Sequence, residues 1–347
     1  MIELTQGNLL KADAEALVNT VNTVGYMGKG IALQFKQAFP ANFEAYRRAC
    51  EQGEVKVGEM FIFATGTLYN PHYIINFPTK EHWRGKSQLS YIEQGLTALI
   101  AEVKQRGIQS IAVPPLGCGL GGLDWAVVRP LIEEAFAAVP AVRVLLYTPD
   151  GAPAANTMPV RTKRPDMTTA RALLIKLIEQ YTQLAYRLSL LEIQKLAYFL
   201  QEAGEPLRLQ FTKSWYGPYA HNLNKVLERL EGHYIRGYGD SQKPDAELVL
   251  LPAAVDAANT FLQSATASQQ RLQRVSNLIE GFETPYGMEL LASVHWLATH
   301  EQPAATTATD AVAGIQQWNP RKETTFEPAH INVAWQRLRS EGLVLSV

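Results

Sequence analysis

A lysine set just behind a buried apolar run is the residue in this sequence best suited to chemistry. In YIINFPTKEHWR, Tyr73 to Arg84, the run Tyr73–Phe77 has the residue types of a buried strand, Pro78 closes it, and Lys80 follows. A lysine amine attacks an electrophilic carbon, or forms a Schiff base with an opened sugar, only when neutral. Phe77, Pro78 and Trp83 could supply the apolar setting that favours that form. The ordinary lysine pKa is about 10.4, and lowering it by ~3 units takes roughly 4 kcal/mol of differential interaction. In its charged form the same group could instead donate a proton to a leaving base, which needs no shift. A blander reading, an ion pair with Glu81 at the surface, uses the same residues.

Two glycine-rich stretches offer complementary chemistry. Gly25, Gly28 and Gly30 in NTVNTVGYMGKG, and Gly117, Gly119 and Gly122 in PPLGCGLGG, each follow a strand-like run and precede a helix. Closely spaced glycines let backbone N–H groups converge on an anion, and a helix N-terminus adds its dipole, so two such loops suit a diphosphate. The second loop also spells GxGxxG. The dinucleotide fingerprint further requires an acidic residue about 20 positions on, and Arg143 and Val144 occupy that region. Lys29 does not complete a P-loop, because the GxxxxGK[ST] spacing is absent.

An open α/β sheet would gather these three stretches at one edge. Strand-like runs at Ala16–Asn19, Met60–Ala64, Tyr73–Phe77, Ser110–Val113 and Val142–Thr148 alternate with helical patterns at Ile31–Phe39, Asn42–Gln52 and Leu89–Gln105 and a helix capped by Asp124. That alternation predicts an α/β sheet covered on both faces, whose ligand loops collect at one edge. Residues 151–166, rich in Pro and Ala with a basic cluster at Arg161, Lys163 and Arg164, read as a linker between a first domain, 1–150, and a second, mainly α-helical domain, 167–347. The length of 347 residues fits two domains. A net charge of −1 excludes a global basic field for nucleic acid or membrane. Two cysteines, Cys50 and Cys118, with no CxxC and no metal-ligand spacing, fit a reducing compartment, and the start MIELTQGNLL has no leader pattern, so a cytoplasmic protein is expected.

TQGNLL, DAEALVNTVN and VPPLGCGLGG together resemble the macrodomain family, the ADP-ribose-binding α/β/α module, across the N-terminal half. More narrowly, GYMGKGIALQFKQAFP, NFPTKEHWR and PLGCGLGGLDW resemble the macrodomains of the DNA ADP-ribosyl glycohydrolase antitoxins. These strip ADP-ribose from thymidines of single-stranded DNA after a DarT-type ADP-ribosyltransferase toxin has modified them, and belong to a lysine-dependent branch shared with the terminal ADP-ribose glycohydrolase of animals. The resemblance implies a three-layer α/β/α domain with a mixed sheet, no cofactor and no metal. It puts Lys80 at the anomeric carbon and Asn22 beside the distal ribose as the catalytic pair. It implies ADP-ribose contacts from Asn8, Leu9, Thr20, Gly28, Lys29, Gly30, Ile31, Gly117, Cys118, Gly119, Leu120, Gly121 and Gly122. His82, Trp83 and Arg84 become candidate contacts to the base and DNA, Trp83 as a stacking surface worth ~1–3 kcal/mol. The sequence departs from the family pattern twice: Asn8 stands where macrodomains commonly carry an adenine-binding Asp, and Gly121 where the animal enzyme carries an acid.

In the second domain LLEIQKLAYFLQEAGEPL and TKSWYGPYAHNLNKVL resemble the Panacea antitoxin domain, which implies binding of the cognate toxin. YGP at 216–218 reads as a turn leading into a helix, and Phe199, Trp215, Tyr216 and Tyr219 as core. Acidic residues outnumber basic ones from Asp240 to Asp310, a face that could mimic DNA phosphates. The expected function is therefore a DNA ADP-ribosyl glycohydrolase antitoxin. An ADP-ribose reader without chemistry, an ADP-ribose 1″-phosphate phosphatase and a DNA-binding autoregulator are the alternatives.

Overall fold

Strands with apolar residues on both faces fold only where both faces are covered, and the N-terminal half is built that way. A computed structural model describes residues 1–150, 158–183, 188–239 and 247–344. The chain divides into two compact units, one built on Met1–Arg164 with Gly239, the other on Pro165–Tyr238 and the described chain from Glu247. The first contains β1 (Ile2–Thr5), β2 (Ala16–Asn22), α1 (Gly30–Ala38), α2 (Pro40–Glu51), β3 (Phe61–Ala64), β4 (Tyr73–Lys80), α3 (Leu89–Arg106), β5 (Ser110–Val113), α4 (Trp125–Ala137) and β6 (Arg143–Tyr147). Its strands run in the order β1-β6-β5-β2-β4-β3, parallel except for the β3–β4 pair.

The alternation of side chains divides the core. Val18, Ile75, Phe77, Ile111, Val113, Val144 and Leu146 pack with Ile92, Leu96 and Leu99 of α3 and Ile132 and Phe136 of α4. Leu17, Ile74, Ala112 and Leu145, each one residue out of step, pack with Leu9, Phe35 and Ala38 on the opposite face. The sheet is thus mixed and sandwiched between helices, the α/β/α architecture expected.

Three local features differ from the sequence-based expectation. β1 carries little apolar signal of its own and is added as an edge strand on β6, with the terminal amine donating to the carbonyls of Pro140 (3.0 Å) and Val142 (2.9 Å). β4 does not stop at Pro78. β3 pairs with β4 only as far as Asn76, so Pro78 keeps a ladder neighbour on one side alone, Val21 of β2, and proline is tolerated where β4 has become an edge. Residues 151–157 of the expected linker lie outside the described residues. Beyond them Met158 is buried in the Leu9/Phe35 cluster, and the Arg161 amide donates to the Gln37 carbonyl at 2.8 Å.

The second unit is mainly helical: α5 (Thr169–Gln183), α6 (Leu190–Glu202), β7 (Phe211–Ser214), β8 (Gly217–Ala220), α7 (Leu223–Leu230), β9 (Ile235–Arg236), β10 (Val249–Leu250), α8 (Ala254–Leu262), α9 (Thr266–Ile279), α10 (Pro285–Thr299), α11 (Ala308–Trp318), α12 (Pro320–Thr325) and α13 (Pro328–Ser340). The turn at Tyr216 joins a hairpin rather than opening a helix, because β8 pairs back on β7 through Ser214↔Gly217. Phe199 is buried, but Trp215 at that turn is 51% exposed and not core. Residues 184–186, expected to extend α5, 240–246 of the acidic stretch and 345–347 of an expected terminal strand lie outside the described residues. No helix among the described residues is long and apolar enough to cross a membrane.

Buried charge concentrates behind the hairpin. Lys195 is fully buried and donates to the Pro218 carbonyl at 2.7 Å. Lys322, also fully buried, donates to Glu289 at 2.6 Å and Ser293 at 2.9 Å, and Arg321 reaches the same carboxylate at 2.7 Å. Burial, with the Lys322 charge adding to it, pushes Lys195 down to about 7, and burial pushes Lys322 down to about 8. Between those values and 10.5 the unfolded chain holds protons that the folded chain has released, so stability rises with pH across that window. Chemical unfolding of the full chain should show a higher midpoint at pH 9 than at pH 7, and Lys195→Met should flatten the rise. A midpoint that falls over the same interval would contradict the buried-lysine account.

Candidate active site

Lys80 is the last residue of β4, and a bulge aims it. Val21 pairs with Pro78 but Asn22 pairs with Lys80, leaving Thr79 as an extra, buried residue on β4. Such a bulge bends the strand and turns the next side chain out of its regular alternation. Lys80 Nζ donates to the Leu120 carbonyl at 2.5 Å, which links the strand end to the second glycine loop. Burial lowers its pKa from the ordinary lysine value, the direction that favours the free amine.

The two glycine loops meet beside it. A Cβ on Gly30 would stand 3.1 Å from Leu120 Cδ1, so the start of α1 and the loop 117–122 are in contact. Gly30, Gly117 and Gly122 have φ of +59°, +70° and +79°, the left-handed region that favours glycine. Gly28 serves a different need: a Cβ there would lie 2.4 Å from the Tyr26 ring, which folds over the loop. At Gly121 a Cβ would lie 2.1 Å from the Gly117 oxygen. No side chain fits, so the acid of the animal branch could not be carried here on this backbone. Asp124 caps α4 by accepting from the Ala126 amide at 2.9 Å.

The remaining expected contacts divide by what their side chains do. Asn22 shapes the first loop: its amide oxygen accepts from Val24 N (3.0 Å) and Tyr26 N (3.3 Å), and its Nδ2 donates to the Tyr26 carbonyl at 2.6 Å. Thr23 donates both N–H (3.2 Å) and hydroxyl (2.7 Å) to Glu81 O, tying that loop to the residue after Lys80. Asn8 caps a short 3₁₀ turn, Leu9–Lys11, through Leu10 N at 3.0 Å, and Leu9 is a core side chain. Thr20 is half-buried in β2, and Lys29 and Ile31 flank Gly30 at the start of α1, where burial lowers the Lys29 pKa. Burial raises the Cys118 thiol to about 11, so it is not a thiolate nucleophile near neutral pH. Gly119 has open space around its Cα.

Beside the first loop stands an aromatic group. Trp83, 38% exposed, packs against Tyr26 (centroids 5.2 Å apart) and His82 (5.3 Å), with the Arg84 guanidinium 4.5 Å over its ring. Trp125 packs instead against the α3/α4 core.

Residues 18–132 match the Macro domain family. Over 343 residues, 99% of this chain and 94% of the relative, the sequence is 49% identical to the DNA ADP-ribosyl glycohydrolase of Thermus aquaticus. It is 43% identical to that of Mycobacterium tuberculosis across 97% of this chain and 99% of the relative.

The chain belongs to the DNA ADP-ribosyl glycohydrolase family.

Among solved structures, the DarG macrodomain of Mycobacterium tuberculosis is 55% identical, covering 43% of this chain and 99% of its own, with a TM-score of 0.43. Within this DNA ADP-ribosyl glycohydrolase, the supports that the sequence did not single out are polar and buried. Asn19 donates to Asn76 at 2.9 Å, and Asn76 donates to Asn42 at 2.7 Å, so β2, β4 and α2 are cross-linked under the first loop. Three asparagines at buried positions are the signal that could have found them. Ser87 is buried beneath the second loop and lies in no motif, whereas Tyr26 is half-buried and stands inside the first glycine stretch.

Proposed function

We propose that this chain releases ADP-ribose from thymidine bases of single-stranded DNA by hydrolysing the N-glycosidic bond, with Lys80 at the anomeric carbon. The observation that carries this reading is the convergence of a lysine whose pKa is lowered by burial with two glycine loops in mutual contact. The loops hold the diphosphate through backbone N–H groups, Asn22 shapes the rim of the ribose site, and Trp83 with Tyr26 offers a face for the base. A neutral amine attacks the sugar carbon or forms a Schiff base with the opened ring, and water completes the exchange of the C–N bond for a C–O bond. The lowered pKa serves this route by freeing the amine and serves proton donation by making the ammonium a stronger acid, so the pH dependence of turnover separates the two. The second unit binds and neutralises the cognate DarT-type toxin. In support, a relative in Thermosipho africanus, 35% identical over 38% of each chain, is a DNA ADP-ribosyl transferase–glycohydrolase fusion protein.

Incubating an ADP-ribosylated thymidine oligonucleotide with the full chain tests this directly. Free ADP-ribose and unmodified oligonucleotide, resolved by mass spectrometry, are the expected products. Tight binding without turnover would make the protein a reader, and phosphate released from ADP-ribose 1″-phosphate in place of that turnover would make it a phosphatase.

A further inference from the structure

Ser87 lies under the second glycine loop with its hydroxyl unused. The residue is 7% exposed, its amide donates to the Gly121 carbonyl at 3.0 Å, and its Oγ has no hydrogen-bond partner among the described residues. A buried hydroxyl without a partner costs about 1–3 kcal/mol, so its retention asks for a reason. A Cβ built on Gly121 would stand 2.3 Å from Ser87 Oγ, which puts the hydroxyl directly beside that Cα. The carbonyl of the preceding residue, Leu120, is held by Lys80 Nζ at 2.5 Å. One peptide, Leu120–Gly121, therefore has near it one donor already in use and another with nothing to bind.

We propose that Ser87 is a positioning residue for the hydrolysis, taking the Leu120 carbonyl when the Leu120–Gly121 peptide turns over on ligand binding. The inference rests on the ADP-ribose reading of this loop. Turning a peptide changes ψ of Leu120 and φ of Gly121, and glycine crosses that range without Cβ strain. The turned peptide presents the Gly121 N–H to the diphosphate and moves its carbonyl from Lys80 to Ser87. Lys80 Nζ is then released toward the sugar. One hydrogen bond replaces another and the orphaned hydroxyl is satisfied, so the two arrangements lie close in energy and the phosphate selects between them.

The test uses the full chain, titrated calorimetrically with ADP-ribose, and Ser87→Ala and Ser87→Cys beside wild type. Ser87→Ala should bind about tenfold more weakly or worse while its melting temperature stays level or rises, because alanine removes an unpaired hydroxyl. Ser87→Cys, similar in volume with a weak donor, should fall between. Affinity of Ser87→Ala within twofold of wild type would overturn the proposal. So would a loss of affinity that follows a fall in melting temperature while Ser87→Cys binds like wild type, which marks a purely structural role. Wild type that fails to bind ADP-ribose would remove the functional reading itself, and this proposal with it.

Discussion

Lys80→Ala should reduce release of ADP-ribose from a modified oligonucleotide by at least about 10²–10⁴-fold, the range for loss of a positioned acid–base group, and by more if the amine forms a covalent intermediate. Binding of free ADP-ribose should change only a few-fold, since the loops and not the lysine hold the diphosphate. Single-turnover measurements separate the two effects. Lys80→Arg should be as inactive as alanine, because a guanidinium neither attacks nor gives up its proton near neutral pH. Burial holds the lysine below its ordinary value of 10.5, so wild-type turnover should rise with pH as the amine is freed, whereas proton donation would make it fall. Turnover by Lys80→Ala within tenfold of wild type would sink the lysine mechanism.

Gly121→Ala should cost the protein both loop stability and ligand binding. The added Cβ would meet the Gly117 oxygen at 2.1 Å and Ser87 Oγ at 2.3 Å, and backbone must move to admit it. Overpacking of this kind costs about 1–3 kcal/mol, so a lower melting temperature and at least about tenfold weaker ADP-ribose binding are expected. Gly121→Asp should fare no better, although it restores the acid found in the animal branch. Gly119→Ala is the control: its Cβ meets nothing within 4 Å, and its melting temperature should match wild type. A fully stable Gly121→Asp with undiminished binding would show that the loop has a freedom this backbone does not display.

Much of the first unit was legible because its signals are local. Val, Ile and Phe runs marked β2 to β6, helical periodicity marked α3, and Asp124 announced the cap of α4. Lys80 and both glycine loops could be picked out for the same reason: residue type and spacing are properties of a few consecutive positions. β1 could not, since IELT becomes a strand only when β6 offers it an edge. The exposed hairpin turn at Trp215 was hidden likewise, because aromatic residues near a turn read as core until pairing shows which way they face.

The sequence by itself determined the α/β alternation, three stretches whose residue types suit an anion and a reactive amine, and the family. Tertiary structure alone decided that β4 runs on through Pro78, that a bulge at Thr79 aims Lys80, and that Gly121 has no room for an acid. It also decided that Ser87 lies unpaired beneath the loop and that Asn19, Asn76 and Asn42 brace the strands. Local sequence sets propensity and periodicity. Register, close approach and the pairing of buried polar atoms depend on which distant segments meet.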